Sequence, residues 1–350
     1  MVVPVIAALG RAQPPSADQG ELWEGFFAER FAGPQRTFAQ RIFANSGVTR
    51  RCAAVSPLIE DVSDWPTSRR MQRYMVEAVP LGKDAVSRAL ASAGLRADEI
   101  GMFIVCSCTG YATPGLDLIL ARDLGMAPDT QRLFIGHMGC YAALPGLRAA
   151  ADYVRVHQRP AVLLCAEITS LHIQPFGARM TAEQIVSHAL FSDAAVAVVC
   201  TPGGTGYAVQ SVESLTDAST ADYMTWDLTD TGFRMSLSVK VPDVLAENVR
   251  HLVMPTLAGH GITDVRHVDG WAVHPGGPRI LTVVEQQLSL PPNALTPSRR
   301  TLADDGNCSS ATVLLVLDRL MRSPQPMRQV AMLAFGPGLT LYSANLASTS

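Results

Sequence analysis

The chain has 350 residues, of which 48% are hydrophobic and 17% charged, and its formal net charge is -3. This composition is typical of a globular protein that buries a large core in one large or two similar domains. The small negative charge excludes a general nucleic-acid binder, and no run of about 18 apolar residues is present that could span a membrane.

Strands and helices are predicted to alternate along the chain. The apolar residues 1–10 lack a preceding basic region and predict a first core strand, with a signal peptide as the alternative. Residues 70–96 have apolar spacing near 3.6 residues, which predicts a helix that is bent or broken at Pro80 and ends around Gly94. Short apolar runs predict five buried strands, which are residues 101–106, 161–165, 194–200, 270–274 and 330–335.

This alternation predicts a layered α/β architecture. The Gly-, Thr- and Pro-rich stretch 201–206 separates two halves of comparable length, and each half contains strand-helix-strand material. We therefore expect two duplicated domains, residues 1–205 and 206–350. Seven cysteines without framework spacing predict reduced thiols in a cytoplasmic protein.

Cys140 closes the apolar segment 133–140 (LFIGHMGC) and directly precedes a helix-compatible stretch. This order places Cys140 at a strand-to-helix turn near the positive end of a helix dipole. Such a position favours the thiolate, which is the reactive form of cysteine, and Gly139 allows the backbone to turn sharply. The alternative is that Cys140 is a small buried hydrophobic residue.

His274 and Asn307 are two further candidates. His274 follows a predicted buried strand and precedes the rigid turn 275–278 (PGGP), and strand ends that project into loops commonly carry catalytic groups. Asn307 lies in the segment 304–310 (DDGNCSS), ahead of a predicted helix over residues 311–321. A structural role for His274 and a helix-capping role for Asn307 are the alternatives.

A cysteine at a helix start, a strand-end histidine and a loop asparagine, in that order, resemble the thiolase superfamily of condensing enzymes. Within it, the sequence is similar to the type III polyketide synthases, the chalcone and stilbene synthase family. The motifs that carry this resemblance run from near residue 100 to the C-terminal region, and they are MGC (138–140), AEIT (166–169), LFSD (190–193), WAVHPGGP (271–278), GNCSS (306–310) and FGPGLT (335–340). Ketoacyl-carrier-protein synthase III usually has His-Gln-Ala-Asn where this chain has His274-Pro-Gly-Gly.

The resemblance implies a thiolase-like αβαβα fold in a homodimer and an iterative decarboxylative condensation. Cys140 would accept a starter acyl group from coenzyme A, with His274 as ion-pair partner of its thiolate. Malonyl-CoA, the extender, would then lose carbon dioxide, and His274 and Asn307 would donate hydrogen bonds to the resulting enolate. No permanently bound cofactor, no metal, no nucleic acid and no membrane insertion are expected.

The resemblance also assigns residues to the substrate cavity and to coenzyme A. Phe191 corresponds to the gatekeeper phenylalanine, Met235 takes the second gatekeeper position, and Trp226 stands where chalcone-forming members have glycine. The full set of implied cavity residues is Phe191, Met235, Trp226, Thr113, Cys108, His172 and Ser309. The implied coenzyme A residues are Arg41, Arg279, Gly276 and Gly277, while two neighbouring family cations are replaced by Phe38 and Asn45.

The segment 138–144 (MGCYAAL) is similar to bacterial members that accept fatty acyl starters and make alkylresorcinols or alkylpyrones. We therefore expect a medium or long acyl-CoA starter that is extended two or three times with malonyl-CoA. Three alternatives stay open: a malonyl-primed synthase of the tetrahydroxynaphthalene type, a ketoacyl-carrier-protein synthase III, and a non-catalytic acyl-binding scaffold.

Overall fold

The computed structural model describes residues 2–177, 180–325 and 327–349. The strands are β1 (Pro4–Ala12), β2 (Ser16–Asp18), β3 (Arg50–Cys52), β4 (Met102–Ser107), β5 (Gln131–Gly136), β6 (Ala161–Glu167), β7 (Ala194–Pro202), β8 (Tyr207–Thr216), β9 (Met224–Thr229), β10 (Gly232–Leu237), β11 (Gly270–Val273), β12 (Gln329–Gly336) and β13 (Thr340–Ser348). The α-helices are α1 (Gln19–Leu22), α2 (Gly33–Ala44), α3 (Thr67–Ala93), α4 (Leu116–Leu124), α5 (Ala143–His157), α6 (Ala182–Leu190), α7 (Val241–Ala258), α8 (Pro278–Leu288), α9 (Thr296–Asp305) and α10 (Thr312–Met321).

Within the described residues, nine strands form one mixed sheet in the order β11-β12-β13-β8-β1-β7-β6-β4-β5. At its centre, β1 and β8 are joined through two residue pairs, Val5–Ala208 and Ile6–Tyr207. The sheet therefore consists of an N-terminal half, from β5 to β1, and a C-terminal half, from β8 to β11.

The buried side chains show how helices cover these halves. Because side chains alternate between the two faces of a strand, β4 contributes to two separate clusters. Ile104 packs against Leu144 of α5 and Leu314 of α10, two helices of the central layer. Phe103 packs on the opposite face of the sheet with Ala85 of α3. Helices α7 and α8 cover the outer face of β11 and β12. The predicted αβαβα order is confirmed.

Helix α3 is continuous at Pro80. It runs from Thr67 to Ala93 with Pro80 inside it, so of the two predicted outcomes the break is wrong and the bend stays a prediction. Ala78 and Gly82, on either side of Pro80, are buried, and this tertiary packing outweighs the lost backbone hydrogen bond. The helix ends as expected, before Gly94 in the left-handed region with φ 66°.

The sequence patterns did not reveal the antiparallel strands β8 to β10 and β13. Strands β9 and β10 form a separate two-stranded sheet outside the main one, and this hairpin becomes part of the cavity wall described below. Among the described helices, none has both the length and the apolar character needed to cross a membrane.

Candidate active site

Cys140 lies where strand β5 turns into helix α5, as predicted. A short 3-10 turn, Gly139–Tyr141, connects the two elements. Gly139 has φ 73°, and a Cβ atom there would lie 2.8 Å from Cδ of Pro337, so glycine is required by both conformation and space. The Cys140 side chain is buried, with 8% of the residue exposed.

His274 directly follows β11, and its backbone N–H donates to the Leu333 carbonyl at 2.8 Å. The residue is 1% exposed. Its ring stands edge-on to Phe335 with centroids 5.7 Å apart, and neither ring nitrogen has a hydrogen-bond partner in the described part of the chain. Buried polar atoms are normally paired, so this imidazole is available to a substrate.

Asn307 is positioned by hydrogen bonds on its backbone and on its side-chain oxygen. Its N–H donates to the Leu190 carbonyl and its carbonyl accepts from the Ser192 N–H, both at 2.9 Å. Asn307 Oδ1 accepts from the Ser309 N–H at 2.9 Å. This local bond is of the kind that the capping alternative implied, and it leaves the amide N–H groups as the donors available to the site.

All three residues line one cavity of about 620 Å³, which we call the main cavity. A smaller space of about 30 Å³, the inner pocket, adjoins it at Cys140. Five of the predicted cavity residues line the inner pocket, and they are Cys108, Phe191, Trp226, Met235 and Ser309. The four predicted coenzyme A residues line the main cavity, and they are Arg41, Gly276, Gly277 and Arg279.

Trp226 is held by its indole N–H, which donates to the Cys108 carbonyl at 2.8 Å. Its ring lies 5.9 Å from that of Phe191, and it pairs directly with Met235 across the β9–β10 hairpin. Trp226 and Phe191 therefore take up space at the wall of the inner pocket.

On the single chain, two predicted cavity residues lie outside both the main cavity and the inner pocket. Thr113 is exposed on the single chain, where its hydroxyl donates to the Tyr111 hydroxyl at 3.2 Å, and it lines neither the main cavity nor the inner pocket. His172 lines a separate cavity of about 40 Å³ behind Phe191 and Trp226. Its ring nitrogens are engaged by Thr109 and Phe233, so they do not face Cys140.

Burial of Cys140 and His274 weighs against the predicted ion pair, which stays a prediction. Burial raises the pKa of the Cys140 thiol to about 12, and the hydrogen bonds from Ser309 and Asn307 oppose this rise without cancelling it. Burial lowers the pKa of His274 to about 3. Burial thus favours the neutral form of each group, because each lies away from the water that would stabilise its charged form.

Alkylation of Cys140 by iodoacetamide should therefore accelerate by about tenfold per pH unit between about pH 7 and 9, since only the thiolate reacts. Peptide mass spectrometry would follow the rate at Cys140, with the fully buried Cys200 as an internal control that stays unmodified. A rate that is already constant at pH 7 would show that the thiol is ionised there.

Glu167 is a site residue to which the sequence assigned no role. It closes the fully buried strand β6, and its carboxylate accepts from the Thr109 hydroxyl at 2.7 Å and from the Cys108 N–H at 3.0 Å. Burial raises its pKa. The available signal was a single charged residue at the end of an otherwise apolar strand.

Comparisons with known proteins match this chain over nearly its whole length. The family model of the N-terminal domain of chalcone and stilbene synthases matches residues 5–203, and that of the C-terminal domain matches residues 208–349. A 1,3,6,8-tetrahydroxynaphthalene synthase of Streptomyces peucetius is 33% identical over 346 residues, covering 95% of this chain and 90% of the relative. The alpha-pyrone synthesis polyketide synthase-like Pks18 of Mycobacterium tuberculosis is 31% identical, covering 90% of this chain and 83% of the relative.

The crystal structure of 1,3,6,8-tetrahydroxynaphthalene synthase from Streptomyces coelicolor superimposes on the chain with a TM-score of 0.92 at 28% identity. That superposition covers 99% of each chain.

Proposed function

The chain belongs to the chalcone and stilbene synthase family and is a type III polyketide synthase, and we propose that Cys140, His274 and Asn307 catalyse its condensation of malonyl-CoA. The observation that carries this assignment is their convergence on the main cavity. The enzyme is an acyltransferase, and the proposal concerns which residues act and which starter they accept.

In the proposed cycle, the neutral His274 ring takes the Cys140 proton as the sulfur attacks the starter thioester. The coenzyme A thiolate leaves with that proton, and the acyl group stays on Cys140. Malonyl-CoA then loses carbon dioxide, and its electron pair becomes an enolate whose oxygen accepts hydrogen bonds from His274 and Asn307. The enolate carbon attacks the Cys140 thioester, and the cysteine sulfur leaves as a thiolate that takes up a proton from water. The extended chain is then on coenzyme A, and its transfer back to Cys140 begins the next round.

We propose a medium or long fatty acyl-CoA as the starter and an alkylpyrone or alkylresorcinol as the product. The main cavity supports an alkyl chain because much of its wall is apolar, with Ile42, Val186, Leu190 and Ile280 among its members. Met235 stands between the main cavity and the inner pocket, and its unbranched side chain can adapt to an acyl chain.

One observation favours a malonyl-primed synthase of the tetrahydroxynaphthalene type instead. The inner pocket of about 30 Å³ holds only about two water-sized groups, which suits a short starter. A fatty acyl starter requires the side chains of Met235 and Trp226 to move aside for a long chain, whereas a malonyl starter does not.

Product analysis with a panel of acyl-CoA starters and labelled malonyl-CoA decides between them. We expect decanoyl-CoA to enter the products, and Met235→Phe to reduce its use by about tenfold through overpacking while acetyl-CoA is affected less. Met235→Leu is the control of similar volume. Products built from malonyl-CoA alone, whatever starter is offered, would refute the fatty acyl proposal.

For the coenzyme A subsite we propose Arg41 and Arg279, with Gly276 and Gly277 allowing close approach of the pantetheine arm. Both arginines are exposed beside the main cavity, where a guanidinium can pair with phosphate. Arg279 already lies 3.9 Å from Asp243. Phe38 and Asn45 also line this cavity, so its wall is less cationic than the family pattern implies.

We propose that the enzyme is cytoplasmic and divides into domains at residue 205. The seven cysteines are free thiols, which suit a reducing compartment. Strand β7 ends at Pro202 and β8 begins at Tyr207, so the boundary would fall in the connection between them.

We propose a homodimer that pairs through strand β5. This strand is an edge of the main sheet, and Leu133 and Phe134 on it are 36% and 38% exposed. An apolar edge strand of this kind is normally covered. Analytical ultracentrifugation should give twice the chain mass, whereas the mass of one chain at micromolar concentration would contradict the proposal.

A further inference from the structure

The β9–β10 hairpin forms the wall of the inner pocket, yet it does not belong to the main sheet. It places Trp226 and Met235 opposite each other, and both line the inner pocket beside Cys140. An isolated two-stranded hairpin is marginally stable on its own. Its position over Cys140 must therefore be set by contacts with other parts of the protein.

Two side chains hold the hairpin at Phe233 of β10. His172 Nδ1 accepts from the Phe233 N–H at 3.0 Å, and Gln174 Nε2 donates to the Phe233 carbonyl at 3.1 Å. Gln174 also donates to the Thr231 carbonyl at 3.2 Å. Both backbone polar groups of Phe233 are thus bound by side chains from one short segment.

His172 also reaches the loop that carries Cys108. Because Nδ1 accepts a hydrogen bond from the Phe233 N–H, the neutral ring carries its hydrogen on Nε2, which donates to the Thr109 carbonyl at 2.7 Å. The ring stacks on Phe233 with centroids 4.6 Å apart and stands edge-on to Trp226 at 5.5 Å. Burial lowers the pKa of His172 to about 3, so these bonds persist at neutral pH.

Arg70 of helix α3 holds the backbone of residues 171–173 in place. Its guanidinium donates to the carbonyls of Leu171 and Ile173, the second at 2.9 Å. It also donates to the Ser63 carbonyl at 2.8 Å, and it is 0% exposed. Arg70 therefore binds the backbone on both sides of His172, while the side chains of His172 and Gln174 bind the hairpin.

We propose that Arg70, His172 and Gln174 form a bracket that determines product length by holding Trp226 over Cys140. They are positioning residues, since they act through the hairpin and do not touch the reacting atoms. The inference rests on the proposed function, because the inner pocket is the space into which the polyketide grows. Loosening the bracket deepens that pocket and permits further extension before release.

The test compares His172→Leu, which removes both hydrogen bonds, with His172→Asn, whose oxygen can replace Nδ1 as the acceptor. We expect His172→Leu to raise the ratio of longer to shorter products by at least about fivefold, the change expected for each neutral hydrogen bond that is lost. His172→Asn should restore part of the wild-type ratio. Gln174→Leu should shift the ratio in the same direction and serves if His172→Leu fails to fold.

Two further readouts separate positioning from general damage. Carbon dioxide release from malonyl-CoA should stay within about twofold of wild type, and alkylation of Cys140 at fixed pH should become faster because the wall has loosened. His260→Leu is the control, since His260 is exposed and bonds Ser211, outside the bracket.

An unchanged product ratio and alkylation rate in both His172→Leu and Gln174→Leu would overturn the bracket. A parallel decrease in the rate of carbon dioxide release, the product yield and the melting temperature would also overturn the bracket, since that pattern indicates a merely structural role. Wild-type protein that releases no carbon dioxide would refute the proposed function alone, because the alkylation rates still report the bracket.

Discussion

Cys140→Ala should abolish acyl loading and reduce product formation by a factor on the order of 10⁶, the scale seen when a covalent nucleophile is removed. The sulfur stands where the main cavity meets the inner pocket, and alanine at the same turn preserves the backbone while removing the atom that we propose carries the acyl group. Intact-protein mass spectrometry after incubation with an acyl-CoA starter measures the loading directly.

Cys108→Ala is the matched control for that experiment. Cys108 is the second thiol of the inner pocket, its sulfur lies 3.2 Å from the Ser309 hydroxyl, and burial raises its pKa well above the ordinary value. We expect this variant to load the starter normally. An acyl adduct on Cys140→Ala would contradict the assignment of Cys140 as the nucleophile. If that adduct is absent from the variant with both cysteines replaced, Cys108 carries the acyl group.

Asn307→Ala should retain acyl loading but lose malonyl decarboxylation by about 10²- to 10³-fold, the usual cost of one donor to a developing oxyanion. The Asn307 Oδ1 atom accepts a hydrogen bond from the Ser309 N–H, so the side chain can offer the site only its amide N–H groups, as hydrogen-bond donors. Release of labelled carbon dioxide from malonyl-CoA gives the rate of this step.

Asn307→Asp distinguishes the donor from the shape of the side chain. Aspartate keeps the size of asparagine and can still accept from Ser309, but it offers a carboxylate where the amide donates. Its charge would repel both the malonyl carboxylate and the enolate, so we expect a loss at least as large as with alanine. Normal carbon dioxide release in either variant would refute the role assigned to Asn307.

The sequence predicted those features that depend on local pattern. The turn at Cys140, the strand before His274 and the loop at Asn307 each had a distinctive run of residues, and the structure places all three on one cavity. The antiparallel strands β8 and β13 were missed because their alternation is weak, with buried and exposed positions mixed along β8.

Features that depend on depth of burial or on side-chain direction could not be predicted from the local sequence pattern. Desolvation raises the pKa of the buried Cys140 thiol, and the helix-start argument could not weigh this effect. His172 occupies the aligned position of a cavity residue, but its ring is turned away by hydrogen bonds to Phe233 and Thr109. Those partners are distant in sequence, so no local pattern indicates them.

The backbone bridge between Phe191 and Asn307 joins a residue of the N-terminal half to one of the C-terminal half, beside the inner pocket that Phe191 lines. Because the two main chains are paired, a displacement of the Phe191 backbone would also displace Asn307. We therefore expect substitutions that change only the size of the side chain at position 191 to alter the choice of starter more than they alter malonyl decarboxylation.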